Sequence, residues 1–491
     1  MQGRRSPTLG SPRLEDAFGV VPVDLLLHPR EALLQNAGSS PFFLVNITGN
    51  ISKTRVKRTM LLVLIAALAA VPPPDAVLSL PTYGKLQTAQ YAGFVNGTAD
   101  GDSQLFYWFA ESDRGNAPDV PLLLWLNGGP GASSITGLLL EKLGPLSMTL
   151  NSTLVDNPDR LTKNYHVLIF DNPVGSGYSY TTAKRYVRSE YEMRTQLVHA
   201  LRLFFKLHPE YTTNKFWVTG ESYAGHYVPN IAWEIAVNAT EIPLQGVAIG
   251  NGMYNMKLQY PSVGPMAYSA GVIDERTLTE MGTRQDDCVA MIEKSPATAG
   301  AYCENVTVYW LYSPDGPGGQ IFYYDVGIAD GRYFDTLTEA MATYLNREDT
   351  KAALHTSSAA EGWRQADEVG PVADNLLADW TVNSDDILVK LLERNLKVRL
   401  YNGVRDLSSC NHLGNLAVLL NLEWAGKEVF KSAPFTPWPS GTQVDGHMRR
   451  AGLLEYATVL RTGHLVPTVV PDVFAALLAD FLRDDSAKVE L

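Results

Sequence analysis

The segment Gly220-Glu221-Ser222-Tyr223-Ala224-Gly225 places a serine among small residues, directly after the apolar run Phe216–Thr219. Small side chains at 220 and 224 permit a sharp strand-to-helix bend. Such a bend lifts the Ser222 hydroxyl clear of the backbone, as a nucleophilic serine requires. A hydroxyl is a weak nucleophile alone and needs a base that a third group orients. Asp406 follows the apolar stretch Val398–Tyr401, and His464 follows Leu454–Leu460. The order serine, acid, histidine, each just past a strand-like segment, is the one in which strand ends deliver three groups to a single site. A tetrahedral intermediate also needs N–H donors for its oxyanion. Asn127-Gly128-Gly129-Pro130-Gly131 closes the strand Leu122–Leu126, and bare glycines let a backbone approach a carbonyl closely. The N–H of Gly129, with that of Tyr223 after the nucleophile, supplies the pair. No HExxH occurs among the nine histidines, so metal-dependent peptide hydrolysis finds no support. No cofactor or metal is called for, and His226, one turn beyond Ser222, reads as a packed helix residue. The glycine patterns of phosphate-binding loops are absent too.

These groups need elements to hold them. Leu122–Leu126, Val167–Phe170, Phe216–Thr219, Val247–Ile249 and Val398–Tyr401 read as short buried strands. Met193, Leu197, Leu201 and Phe204 recur at helical spacing, as do Val473, Phe474, Leu477, Leu478 and Phe481. Alternating strands and helices predict an α/β fold, a mostly parallel sheet with helices on both faces, and chemistry at the carboxyl ends of the strands. Residues 255–345, rich in Tyr, Gly, Ser and Pro, break the rhythm and read as an inserted cap subdomain.

At 491 residues and 45% apolar, the chain has ample material for one large core. The net charge is −12. Residues 1–59 hold 8 of the 40 basic and 4 of the 52 acidic residues, so the remainder carries 32 against 48, or −16. An acidic body argues against nucleic acid and anionic membrane surfaces as partners and suits an acidic compartment. Residues 60–71 form a 12-residue apolar run behind Lys53, Arg55, Lys57 and Arg58. That is too short to span a bilayer and has the layout of a signal peptide, over residues 60–76, with cleavage near Ala70 or Ala76. No stable membrane anchor is expected. Residues 1–59 read as a disordered extension or an untranslated leader. Sequons at Asn96, Asn151, Asn238 and Asn305 fit the secretory route, ending in a vacuole- or lysosome-like compartment or outside the cell. Of three cysteines, Cys288 and Cys303 are spaced for one disulfide, leaving Cys410 unpaired.

The longer motifs resemble those of the serine carboxypeptidase family, of the carboxypeptidase Y type. WLNGGPGASS (125–134), FDNPVGSGYSY (170–180), GESYAGHYVP (220–229), GVAIGNGMYN (246–255), YNGVRDLSSCNHLGN (401–415) and TGHLVP (462–467) carry the likeness, which runs from about residue 83 to 482 within a domain placed at 80–485. The resemblance implies an α/β-hydrolase fold and release of C-terminal residues from peptides and proteins, at acid pH, through Ser222, Asp406 and His464. It implies that Trp125, Asn127, Glu141 and Glu221 recognise the substrate's terminal carboxylate, the two glutamates sharing a proton. Leu465 replaces a family methionine beside the leaving residue's side chain. Three departures stand out. Ala132 replaces a cysteine whose partner, after Trp363, is also missing. One extra residue separates Asp406 from Cys410. Arg461 and Thr462 replace small residues, and an arginine there is placed to change specificity or to close part of the pocket. The same triad can serve an acyltransferase or esterase, and a decayed site would leave a binding glycoprotein; the chain is expected to be a monomer or homodimer.

Overall fold

The computed structural model describes residues 72–366, 370–439 and 443–483. The leader at 1–59 and the signal segment as far as residue 71 lie outside the described residues. The central sheet has eleven strands: β1 (Gln90–Asn96), β2 (Ser103–Ala110), β3 (Leu122–Leu126), β4 (His166–Phe170), β5 (Tyr180–Thr181), β6 (Phe216–Glu221), β7 (Leu244–Gly250), β8 (Lys397–Gly403), β9 (Thr436–Trp438), β10 (Gly446–Ala451) and β11 (Leu454–Val459). Their spatial order is β9-β10-β11-β8-β7-β6-β3-β4-β2-β1, with β5 paired to β2. The six strands from β11 to β4 run parallel, and antiparallel strands close both edges.

The parallel strands are covered on both faces, which explains their continuous apolar runs: every residue of β3, β4 and β6 is buried. Helix α1 (Ile135–Leu139) follows the glycine turn, α2 (Glu190–Leu207) precedes β6, and α3 (Ala224–Asn238) starts from the Ser222 bend. In α2 the Ser189 hydroxyl caps the first turn by accepting from the Glu192 N–H, and Met193, Leu197, Leu201 and Phe204 are fully buried. The strands extend past the apolar runs that reveal them. β6 continues through Gly220 and Glu221 because its pairing with β7 persists to Glu221 opposite Gly250, so a carboxylate side chain still belongs to the ladder and Ser222 follows directly after it.

Between Gly250 and Lys397 the chain leaves the sheet. It builds α4 (Glu275–Lys294), α5 (Pro296–Glu304), α6 (Arg332–Leu345) and α7 (Asp385–Glu393). A disulfide joins Cys288 in α4 to Cys303 in α5, and Cys410 is free and buried. Val263, Met266, Met281 and Leu311 of this region share a small apolar core with Leu407, the neighbour of Asp406. The final helix, α8 (Pro471–Leu482), buries Val473, Phe474, Leu477, Leu478 and Phe481. At the N-terminal side, Asp75 accepts hydrogen bonds from the Tyr107 hydroxyl (2.5 Å) and from His208 Nε2 (2.7 Å). Among the described residues no helix is long and apolar enough to cross a membrane.

Candidate active site

The bend between β6 and α3 holds Ser222 at φ +64°, a left-handed conformation that a serine adopts only under tertiary constraint. That constraint is visible. The Ser222 N–H donates to the Gly250 carbonyl (3.1 Å), and the Ser222 carbonyl accepts from Gly225 and Met253 N–H, both at 2.9 Å. The glycine turn after β3 packs directly on the bend. A Cβ at Gly128 would stand 2.3 Å from the Tyr223 nitrogen and 2.8 Å from the Ser222 Cβ. Residue 128 is glycine because nothing larger fits between the glycine turn and the Ser222 bend.

Asp406 and His464 leave β8 and β11, which are adjacent in the sheet. His464 Nδ1 lies 2.7 Å from Asp406 Oδ2. Two further donors hold the aspartate: Asn251 Nδ2 at 2.8 Å from Oδ2 and the Ser408 N–H at 2.8 Å from Oδ1. The extra residue before Cys410 is therefore absorbed without displacing Asp406. Ser222 and His464 line one cleft, and Gly129, Asn127, Glu141, Glu221 and Leu465 line it with them.

Trp125, Asn127, Glu141 and Glu221 form one buried chain of contacts. The Trp125 indole N–H donates to Asn127 Oδ1 (3.1 Å), and Asn127 Nδ2 donates to Glu141 Oε1 at 2.6 Å and faces Glu221 Oε1 at 3.4 Å. Burial pushes the Glu141 carboxyl up to about 7, and burial together with the neighbouring Glu141 charge pushes Glu221 well above the usual carboxylate range. Two carboxyls this close cannot both ionise cheaply, so a proton stays between them. The arrangement offers hydrogen-bond donors to an incoming carboxylate at acid pH.

Other expected residues resolve differently. Arg461 points away from the cleft: it is exposed and pairs with Asp445 (2.5 Å), so it does not narrow the pocket. The missing cysteine bridge is replaced by hydrogen bonds, for the Ser133 N–H donates to the Gln365 carbonyl (2.5 Å) and the Trp363 indole N–H donates to Ser133 Oγ (2.8 Å). Among the sequons, Asn151, Asn238 and Asn305 are exposed and Asn96 is half-buried. His226 is fully buried beside Tyr223, with ring centroids 4.7 Å apart.

The residues that sequence reasoning overlooked are mostly supports. Asn251 belongs to the quoted GVAIGNGMYN block but has no role there until its contact with Asp406 is seen. Asp171, in the FDNPVGSGYSY block, accepts from Ser133 Oγ (2.6 Å), Ser134 N–H (3.0 Å) and Tyr178 N–H (2.9 Å), and so braces the chain just after the glycine turn. Glu304, at the end of α5, also lines the cleft; burial raises its carboxyl to about 7, against hydrogen bonds from Tyr260 and Ser409 hydroxyls.

Residues 81–484 match the model of a family described as serine carboxypeptidase. The carboxypeptidase Y homolog A of Arthroderma otae is 33% identical over 419 residues, covering 81% of this chain and 74% of the relative. Carboxypeptidase Y of Candida albicans is 32% identical over 399 residues, covering 78% of this chain and 71% of the relative. Among solved structures, the prohormone-processing carboxypeptidase Kex1(delta)p of Saccharomyces cerevisiae superimposes with a TM-score of 0.71 at 23% identity, over 80% of this chain and 91% of that one.

Proposed function

Since the chain belongs to the serine carboxypeptidase family and is a serine-type peptidase acting on peptides from the C-terminus, we propose that Ser222, Asp406 and His464 carry out the reaction and that Asn127, Glu141 and Glu221 hold the terminal carboxylate. The observation that carries this reading is the shared cleft: Ser222 and His464, the latter bonded to the buried Asp406, line the same opening as a buried glutamate pair that retains a proton. The carboxylate site fixes the end of the peptide, so the last peptide bond falls at Ser222. His464 takes the Ser222 proton as the hydroxyl attacks, and Asp406 holds the imidazole in the tautomer with Nδ1 protonated. The N–H groups of Gly129 and Tyr223 take the oxyanion. His464 then returns the proton to the leaving amine, the terminal amino acid departs, and water releases the acyl group by the same steps. Trp125 orients Asn127, and Leu465 borders the leaving side chain.

The proposal extends to setting. A signal peptide at 60–76, glycans on Asn96, Asn151, Asn238 and Asn305, a catalytic domain over 80–485 with the 255–345 insertion as its cap, and residence in a vacuole-like or extracellular compartment all suit an enzyme whose substrate site needs a protonated acid. The test is release of the terminal amino acid from an N-blocked dipeptide between about pH 4 and 7, with Ser222→Ala as control. Release that peaks on the acid side and is abolished in the variant is expected. Release that persists in Ser222→Ala overturns the nucleophile assignment, and no release with Ser222 still trapped by a serine reagent points to acyl transfer or ester hydrolysis.

A further inference from the structure

The loops bearing Asp406 and His464 are bridged by a segment of the chain far from either in sequence. Residues 323–327, between α5 and α6, run over both. The Leu407 N–H donates to the Tyr323 carbonyl (2.8 Å), and the Val326 N–H donates to the Arg405 carbonyl (3.1 Å). On the other side, the His464 N–H donates to the Tyr324 carbonyl (2.7 Å), and the Gly463 N–H donates to the Asp325 carboxylate (2.8 Å). The Tyr324 ring lies against the His464 imidazole, with centroids 4.8 Å apart. Asp325 is 2% exposed, and its second oxygen accepts from the Gly327 N–H (2.8 Å). The fit leaves no slack: a Cβ at Gly463 would lie 2.0 Å from the Tyr324 oxygen. The flanking residues of both catalytic side chains are thus hydrogen-bonded to one five-residue splint.

We infer that Asp325 is a positioning residue for His464, acting through the Gly463 N–H, and that the cap thereby sets the geometry of the triad as well as roofing the cleft. The inference rests on the assignment of His464 as the general base. The imidazole must meet Asp406 on one nitrogen and Ser222 on the other, and an error of about 1 Å in such an arrangement costs roughly a hundredfold in rate. Within the His464 loop, Gly463 cannot restrain itself by side-chain packing, so an outside acceptor must do it. A carboxylate suits the task because it gives one oxygen to each of two N–H groups. An amide has a single oxygen and would turn its NH2 toward one of them. A buried N–H left without an acceptor drives the loop to shift.

The test compares wild type with Asp325→Asn and Asp325→Ala. Three quantities are read: kcat and KM for an N-blocked dipeptide, and the rate at which a phosphonyl fluoride labels Ser222. Thermal melting checks that each variant is folded. The labelling rate reports the Ser222–His464 pair without any terminal carboxylate. The expected result is a kcat about tenfold lower or worse in Asp325→Ala and a smaller loss in Asp325→Asn, with KM within about twofold and labelling slowed in parallel. A residue that only stabilises the fold would lower the melting temperature and leave kcat and labelling of the folded protein unchanged, and that outcome overturns the inference. A rise in KM at unchanged labelling overturns it equally, since the loss would then lie in substrate binding. If Asp325→Ala does not fold, Asp325→Asn decides. Should the wild type release no amino acid yet be labelled, the peptidase reading fails while the labelling comparison still judges Asp325.

Discussion

At Glu221 one carboxyl meets two demands: it is buried beside Glu141, and in the proposed reading it faces the substrate's own carboxylate. Both neighbours favour its protonated form, so the donor is present at acid pH and is lost only as pH rises through Glu221's own raised titration. Above that point kcat/KM for a peptide is expected to fall about tenfold per pH unit, the slope of a single proton. Glu221→Gln keeps a donor that cannot ionise, so its peptide profile should flatten on the alkaline side, while hydrolysis of an ester without a terminal carboxylate stays as in wild type. Equal changes for both substrates would count against the carboxylate assignment. Asn251 permits a second test. Asn251→Ala removes the side-chain donor to Asp406 Oδ2 and is expected to lower kcat roughly tenfold, close to 1.4 kcal/mol, with KM little changed. Ser222, Asp406 and His464 were legible because each sits in a contiguous motif at a strand end. Asn251 and Asp325 carry no such local mark: their partners lie 155 and 138 residues away, a separation that only folding closes.

The elements divide similarly. The parallel strands announced themselves because burial on both faces demands unbroken apolar runs, and α2 and α8 did so by their periodicity. The helices of the 255–345 region did not, because they pack partly on each other through a small separate core and expose much of their length. α4, for instance, buries only Met281, Gln285, Cys288 and Ile292 among its twenty residues. The contact between the β3 turn and the β6 bend makes a sharp prediction. Gly128→Ala would place a Cβ 2.3 Å from the Tyr223 nitrogen, and, if the turn serves the proposed oxyanion role, should lower kcat/KM at least a hundredfold by forcing it away from Ser222. Near-normal activity in that variant would show that the turn does not serve the oxyanion. Far from the site, β8, β11 and α8 are tied by Arg399, which is 1% exposed and bonds Glu455, Asp480 (2.8 Å) and the Leu477 carbonyl. Arg399→Ala removes the buried guanidinium, but Glu455 keeps Arg450 and Asp480 keeps Arg450 and Arg483 as partners, so it should destabilise the fold by about 2 kcal/mol, measured by denaturant unfolding. A loss below about 1 kcal/mol would show that water replaces the guanidinium.

For the molecule as a whole, the buried acids set a stability profile. Burial raises Glu141 and Glu304 to about 7 and Asp171 to about 6, and raises Glu190 and Glu221 well above the ordinary range. Unfolded, these groups ionise near pH 4, so between about pH 5 and 7 the native state holds protons that the unfolded chain has lost. Stability is therefore greatest on the acid side and falls as pH rises, by about 1.4 kcal/mol per unit for each such group. Asp102, held low at about 2, contributes stability that is already complete at pH 5, whereas His166, His226 and His412, which burial keeps neutral, add stability as pH rises and oppose the trend up to about pH 6.5. Above the ordinary histidine range the acids act alone, so the melting temperature is expected to drop by about 5 °C from about pH 6.5 to 8; a flat or rising trend there would mean that these carboxyls are ionised in the native state. The −16 balance of the chain beyond residue 59 works in the same direction, since self-repulsion grows as carboxyls ionise.

The anchoring of Asp75 bears on how far maturation can trim the chain. Its carboxylate is the partner of a buried histidine and a buried tyrosine, His208 and Tyr107, and Ala76 pairs with Tyr91. Removal of everything before Pro72 leaves those contacts whole, whereas a cut after Ala76 would take the carboxylate away and leave two buried polar groups facing a gap. Of the two candidate scissile bonds, the one near Ala70 is compatible with a finished enzyme. Terminal sequencing of the protein purified from a eukaryotic host should therefore begin at or before Asp75, and an aminopeptidase added to it should stall there.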